Sequence, residues 1–259
     1  LADLSAFLSH LPADVPVTWV GLGSNLLVRD GGIRGVVICL HGSLNSMNRV
    51  SETHVRAEAG VPCARVGRQC AKWGLGPAEF FAGIPGTVGG ALAMNAGAWG
   101  GATWPHVIEV EVIDRAGVVR RRAAAEYRYA YRSVTPPVPG EWFLSATFAF
   151  ECIAEAGTDA IRRLLEERHA KQPVGEWSCG SVFVNPPGDH AARLIEAAGL
   201  KGFRIGDAMV STKHANFIIN TGAARAADLE ALVLHVRDTV ERVHGIRLHT
   251  EVRVVGETA

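Results

Sequence analysis

Gly83-Ile84-Pro85-Gly86-Thr87-Val88-Gly89-Gly90-Ala91, with Met94-Asn95-Ala96-Gly97-Ala98-Trp99-Gly100 close behind, is the stretch on which the fold of this chain turns. Pro85 fixes the entry, and three glycines in the next five residues let backbone approach a ligand closely. Thr87 offers a hydroxyl, and a helix starting near Gly89 would aim its positive end at an anion. A purely structural loop rarely keeps so many glycines beside so many small apolar residues. No Asp, Glu, Lys or Arg occurs between Glu79 and Glu109, and Gly86 with Gly90 has the G-x-x-x-G spacing of paired helices in lipid. Against a membrane span stand seven glycines, Pro85, Asn95 and Pro105, with no basic flank. The stretch reads as a buried ligand loop.

Upstream, Gly21-Leu22-Gly23-Ser24-Asn25 follows the apolar run Val17 to Leu22 and invites comparison with the dinucleotide fingerprint G-x-G-x-x-G. It fails twice: Leu26 holds the third glycine position, and a strand and turn follow in place of a helix. No G-x-x-x-x-G-K-[ST] sequence occurs either. A Rossmann or P-loop site is thereby excluded. Backbone N–H groups of such a loop can still converge on phosphate oxygens without a basic residue. A plain β-turn accounts for this one segment equally well. Together the two loops look like a cradle for a large, flat, phosphorylated cofactor.

The 259 residues, 48% hydrophobic and 20% charged, suffice for one large domain or two modest ones. Lys plus Arg (26) balances Asp plus Glu (26), so no long-range field recruits nucleic acid or an anionic membrane surface. An anionic ligand must be caught locally. Five cysteines without C-x-x-C spacing indicate neither a disulfide framework nor a zinc site, which points to a reducing, cytoplasmic compartment. Ten histidines show no metal spacing, so no metal is expected. Leu1 to His10 has no signal-peptide pattern.

Gly35 to Leu40, Val107 to Asp114, Trp142 to Phe150, Phe217 to Ile219 and Leu248 to Val255 read as strands. Pro62 to Trp73, Thr158 to Lys171, His190 to Ala198 and Ala226 to His244 read as helices, with Gly74, Gly199 and Gly245 as stops. Arg120-Arg121-Arg122 reads as a solvated strand or turn. Texture shifts near residue 150, from strands and glycine loops to a helix-richer part. The class is α+β.

Gly-Leu-Gly-Ser-Asn-Leu-Leu-Val-Arg-Asp (21–30), Ala-Gly-Ile-Pro-Gly-Thr-Val-Gly-Gly-Ala (82–91) and Asn-Ala-Gly-Ala-Trp-Gly (95–100) resemble the UDP-N-acetylenolpyruvoylglucosamine reductase family. So do Tyr131-Arg132-Ser133, Gly180-Ser181-Val182-Phe183 with Asn185-Pro186, Val210 to Phe217, and Glu251-Val252-Arg253. The blocks keep their order along nearly the whole chain. Trp99 departs from the usual Tyr, and Val184 from the usual Lys. The spacing is similar to the branch without an extra tyrosine loop over the substrate.

The resemblance implies an FAD-binding domain of the vanillyl-alcohol-oxidase/PCMH type, with two subdomains, over 1–148, its first segment missing from this sequence. It also implies a C-terminal α+β substrate domain over 149–259, whose last strand (about 246–259) returns to the FAD-binding domain. FAD is then held by Gly21, Gly23, Ser24 and Asn25, and by Ile84, Pro85, Gly86, Thr87, Gly89, Gly90, Asn95, Gly97 and Ala98. NADPH donates the hydride, and the substrate is a small UDP-sugar whose enolpyruvyl ether becomes a lactyl ether in peptidoglycan precursor synthesis. No nucleic acid or membrane takes part, and a monomer is expected.

The same resemblance selects Arg132, Ser181 and Glu251 as catalytic. Arg132 suits a substrate carboxylate because a guanidinium grips it bidentately and keeps its proton; by composition alone Arg128 would serve as well. Glu251 beside a carboxylate would be driven toward its protonated form and donate a hydrogen bond; otherwise it is a solvent-facing strand residue or pairs with Arg253. Ser181 would give a proton to a forming carbanion; otherwise Gly180-Ser181 is a turn or strand edge. Cys179 is a structural neighbour, since thiol chemistry would want a base and an acidifying environment. Tyr131, Lys171 and Asn185 are candidates for the UDP-sugar, and His214 for a core histidine. Two rival functions are a flavin oxidase of the same superfamily and a flavin-binding module without catalysis.

Overall fold

The computed structural model describes residues 1–153 and 158–259. Contacts gather them into two units, residues 1–22 with 35–166 and residues 23–34 with 167–259. The sequence draws one boundary at 148/149 and assigns the first glycine loop whole to the N-terminal side. The contacts differ for a physical reason: Leu26–Val28 pairs in parallel with Arg253–Val255, so backbone hydrogen bonds tie this early segment to the end of the chain.

The first unit opens with helix α1 (Ala2–His10) and the parallel pair Val17–Val20 with Val36–Cys39. Its main sheet has five antiparallel strands in the order Met47–Arg49, His54–Glu58, Glu141–Ala149, Val107–Asp114, Val119–Ala123. Alternation along them puts Val55, Ala57, Val110, Val112, Ala146 and Phe148 on one buried face. That face packs on helix α2 (Cys63–Lys72), helix α3 (Val88–Met94) and the turn Glu79–Gly83. The opposite face is a polar layer. Arg56 pairs with Glu111, Ser145 Oγ donates to Glu111 at 2.7 Å, and Arg121 reaches the same carboxylate at 3.5 Å. A register shift between Phe143 and Ser145 frees Leu144 to join Leu8 and Ile113 in a second core, beside the stacked rings of Trp19 and Trp142. The run 120–122 lies in the edge strand, each arginine with a carboxylate: Arg120 with Asp114, Arg121 with Glu111, and Arg122 with Glu141 at 2.7 Å. The unit ends within helix α4 (Thr158–Lys171), whose buried residue is Ile161.

The second unit has a four-stranded antiparallel sheet in the order Trp177–Ser181, Phe217–Asn220, Ala208–Val210, Arg204–Ile205. Helices α5 (Ala191–Ala197) and α6 (Ala226–His244) pack with it around Leu194, Ile195, Leu232, Val236 and Val240. Asp30 caps α6, accepting from the N–H groups of Ala226 at 2.9 Å and Ala227 at 3.0 Å. Arg29 holds Glu230 one turn on, at 2.6 Å. Gly245, at φ 67°, ends the helix. The expected strand 248–255 is shorter than its alternation suggests. Only Arg253–Val255 forms a ladder, although Leu248 and Val252 are buried and Thr250 bridges Phe183. Among the described residues no helix is long and apolar enough to cross a membrane.

Candidate active site

In the first unit the second glycine loop lies along residues 59–63. Cys63 N–H donates to Gly86, Val88 N–H to Val61 and Gly89 N–H to Ala59, each at 2.9 Å. The expectation that this helix start would aim its N–H groups at an anion therefore needs correction, since Val88 and Gly89 spend theirs on the chain itself. Many of the glycines also answer to packing. A Cβ on Gly83 would meet the Trp99 ring at 2.7 Å, and one on Gly89 would crowd Ala59 at 3.1 Å. A Cβ on Gly97 would collide with the Gly101 carbonyl. Gly90 differs: its Cβ position opens on empty space. Gly21 differs too, because a Cβ there would collide with the Thr87 hydroxyl. That hydroxyl is buried and, among the described residues, has no hydrogen-bond partner.

Arg132 stands in a two-residue turn between the paired residues Ala130 and Ser133. Its backbone is left-handed, φ 55°, at a turn position that favours Gly or Asn. The guanidinium donates to the carbonyls of Gly97 at 3.0 Å and Asn95 at 3.4 Å and lies 5.1 Å from the exposed Tyr131 ring. Arg128 is exposed in the preceding strand.

In the second unit Ser181 ends the strand Trp177–Ser181 after an irregularity that places Gly180 at φ 77°. Its neighbour Val182 donates to Asn216 at 2.9 Å and accepts from Glu251 N–H at 2.8 Å. Ser181 and Glu251 thus sit on adjoining backbone segments. Asn25, from the first glycine loop, donates its side-chain amide to the Glu251 carbonyl at 2.9 Å, and its own carbonyl takes Arg253 N–H at 3.0 Å. Asn216, buried, brackets Phe183 with bonds of 2.9 and 2.8 Å. Asn185 Oδ1 accepts from Ala191 N–H at 3.0 Å, at the start of α5. Burial pushes the Cys179 thiol up, which disfavours a nucleophilic thiolate there. Burial likewise holds His214 below the ordinary imidazole range, and its ring meets Phe217 edge-on at 5.0 Å.

A model described as UDP-N-acetylenolpyruvoylglucosamine reductase, C-terminal domain, matches residues 172–255, and one described as FAD binding domain matches residues 2–122. A UDP-N-acetylenolpyruvoylglucosamine reductase of Alkalilimnicola ehrlichii is 60% identical over 258 residues, 99% of this chain and 86% of the relative. The chain belongs to the UDP-N-acetylenolpyruvoylglucosamine reductase family. A Coxiella burnetii member is 48% identical over 100% of this chain and 88% of its own length. The crystal structure of the Thermus caldophilus reductase superposes with a TM-score of 0.78 at 33% identity, over 93% of this chain and 86% of that one. The α+β class and the coupling of an FAD-binding domain to the family's C-terminal domain stand as the sequence indicated.

The first unit fits the cofactor on two observations. The buried Thr87 hydroxyl has no hydrogen-bond partner among the described residues, and Gly90 leaves open space that a side chain would fill. Trp99, where the family usually has Tyr, is left-handed at φ 50° and lies over Gly83. Val184, where Lys is usual, donates its N–H to His249 at 2.9 Å. Lys171 is exposed at the end of α4 and paired with Glu167. One turn earlier stands Arg168. It is half-buried, burial pulls its pKa down, and its Nε holds Gln172 at 2.8 Å. No group of three or more His, Cys, Asp or Glu suited to a metal occurs among the described residues.

Proposed function

We propose that this reductase converts the enolpyruvyl ether of UDP-N-acetylglucosamine to the lactyl ether of UDP-N-acetylmuramate, with Arg132, Ser181 and Glu251 as its catalytic residues. The observation that carries this is likeness along the whole chain to reductases of that name, 60% identity over 99% of its length. Bound FAD, reduced by NADPH, supplies the hydride that reaches C3 of the enolpyruvyl group.

Hydride addition makes the substrate carboxylate into a more highly charged, enolate-like species. Groups that bind this form better than the starting carboxylate accelerate the step. Arg132 is suited to it as a permanent cation already anchored on two carbonyls, which leaves little reorganisation for the reaction. Glu251, in its protonated form, donates a hydrogen bond to the same carboxylate. Ser181 gives its hydroxyl proton to C2, where a strongly basic carbanion makes a weak acid sufficient. The shared backbone ladder through Val182 supports Ser181 and Glu251 acting as a pair. Thr87 and the backbones of Gly21 and Gly90 are assigned to FAD; Asn185, Tyr131, Arg168 and Lys171 to the UDP-sugar.

Without a second nucleotide fold, NADPH and the UDP-sugar use one cleft in turn, which entails ping-pong kinetics. The monomer is proposed as the working state because one chain carries every residue assigned to the reaction. The cytoplasm is proposed as its compartment, in keeping with five free cysteines. Incubation with NADPH and the enolpyruvyl substrate should yield a product heavier by two hydrogens, with NADPH consumed in equal amount. NADPH consumption that depends on oxygen and ignores the UDP-sugar would replace the reductase with an oxidase.

A further inference from the structure

We infer that Asn95 is the positioning residue of Arg132, an inference that rests on the catalytic assignment of Arg132 above. The resemblance gives Asn95 to the FAD contacts, and its side chain also makes two bonds within the chain. It is buried, 5% exposed, and occupies the left-handed C-cap of α3 at φ 44°, a conformation that Asn tolerates better than most residues. Its side chain bonds on both sides. Nδ2 donates to the Ala130 carbonyl at 2.9 Å, and Oδ1 accepts Trp104 N–H at 3.0 Å. Its backbone carbonyl and that of Gly97, two residues on, receive the Arg132 guanidinium.

One asparagine therefore fixes both ends of the arginine. Ala130 is the residue on which the two-residue turn is built, paired with Ser133, so the Nδ2 bond holds the turn from which Arg132 projects. The Oδ1 bond ties the same asparagine to Trp104, a fully buried ring whose Nε1 donates to Leu92 at 2.8 Å in α3. A non-glycine residue at φ 55° in such a turn is strained and persists where its surroundings over-determine it. Asn95 supplies that determination. Aimed at a carboxylate, a guanidinium displaced by about 1 Å loses about 100-fold in rate.

Asn95→Gly keeps the left-handed cap and removes both side-chain bonds. Asn95→Asp keeps size, cap and the bond from Trp104, and sets an acceptor against the Ala130 carbonyl. Each holoenzyme is reduced anaerobically by NADPH and then mixed with the enolpyruvyl substrate, alone and combined with Arg132→Lys. Compared at equal FAD occupancy, flavin reduction should slow far less than substrate-driven reoxidation, which should fall by about 30- to 100-fold. Adding either Asn95 variant to Arg132→Lys should slow reoxidation by less than about threefold more. Equal slowing of both half-reactions, or multiplicative effects in the combined variant, would overturn the positioning role. Asn95→Asp carries the test if Asn95→Gly does not fold. A wild-type flavin that the substrate cannot reoxidise would instead remove the reductase assignment on which the inference rests.

Discussion

Arg132 and Glu251 serve one proposed carboxylate, yet the chain holds them by opposite means. Glu251 stands just ahead of regular backbone: its N–H joins Val182, its carbonyl takes Asn25, and Arg253–Val255 beyond it form a three-residue parallel ladder. Arg132 stands in a left-handed turn and is held at its far end by carbonyls. A ladder shares its load over many hydrogen bonds, so the loss of one partner shifts it little. A strained turn lacks that shared ladder and leans harder on each bond that holds it. Damage to the supports should therefore be severe near Arg132 and mild near Glu251.

The largest effect probes neither support but the chemistry common to both. Ser181→Ala should slow reoxidation of reduced flavin by the enolpyruvyl substrate about 10²- to 10⁴-fold, the range for a lost general acid, with reduction by NADPH unchanged. An unaffected second half-reaction in rapid-mixing traces would remove Ser181 from the mechanism. Next, Asn25→Ala takes one hydrogen bond from Glu251 and should cost about 1 kcal/mol in chemical denaturation and less than tenfold in the same rate. A loss matching that of the Asn95 variants would erase the distinction between ladder and turn.

Thr87→Val tests the floor of the first unit. Valine in place of a buried hydroxyl without a partner should leave the apoprotein as stable or more so. FAD binding, followed by titration of apoprotein, should weaken about tenfold. Unchanged affinity would assign the orphaned hydroxyl elsewhere. The smallest effect belongs to His106, stacked between Phe80 at 5.4 Å and Phe150 at 5.5 Å, whose pKa burial lowers against an opposing bond from Ala149. The folded state releases this proton more readily than the unfolded chain, so the stability His106 contributes is present above about pH 6.5 and is lost as pH falls toward its folded value. Melting temperature should drop between pH 7 and pH 5, and His106→Leu should lessen that drop. An identical drop in the variant would place the acid sensitivity in other groups.

Periodic segments were legible in the sequence because their pattern is local. Val107–Asp114, Thr158–Lys171 and Ala226–His244 have the bounds that alternation, helix period and glycine stops indicate. The register of residue 26 with residue 253 was not legible in spacing, since nothing in either segment encodes a partner 227 positions away, and only the resemblance implied that the last strand turns back to the N-terminal part. The glycine loops were legible as an anomaly and partly misread in cause. Gly83, Gly89 and Gly97 make room for Trp99, Ala59 and Gly101, contacts that only the folded chain reveals. Arg132, Ser181 and Glu251 came from resemblance. Spacing alone could not select them, because Arg128 fits the chemistry of Arg132 and Glu251 reads equally as a partner of Arg253. The brackets of Asn95, Asn25 and Asn216 gave no sequence signal, as a buried asparagine and a turn asparagine read alike.

Reduced flavin in this chain is proposed to pass its hydride to an enolpyruvyl ether. The most direct test is anaerobic: holoenzyme is bleached with one equivalent of NADPH, the enolpyruvyl UDP-sugar is added, and the visible absorbance of the flavin is followed. Return of the oxidised spectrum without oxygen, with an equal amount of the lactyl ether formed, is the predicted result. A flavin that stays bleached until air is admitted would contradict it.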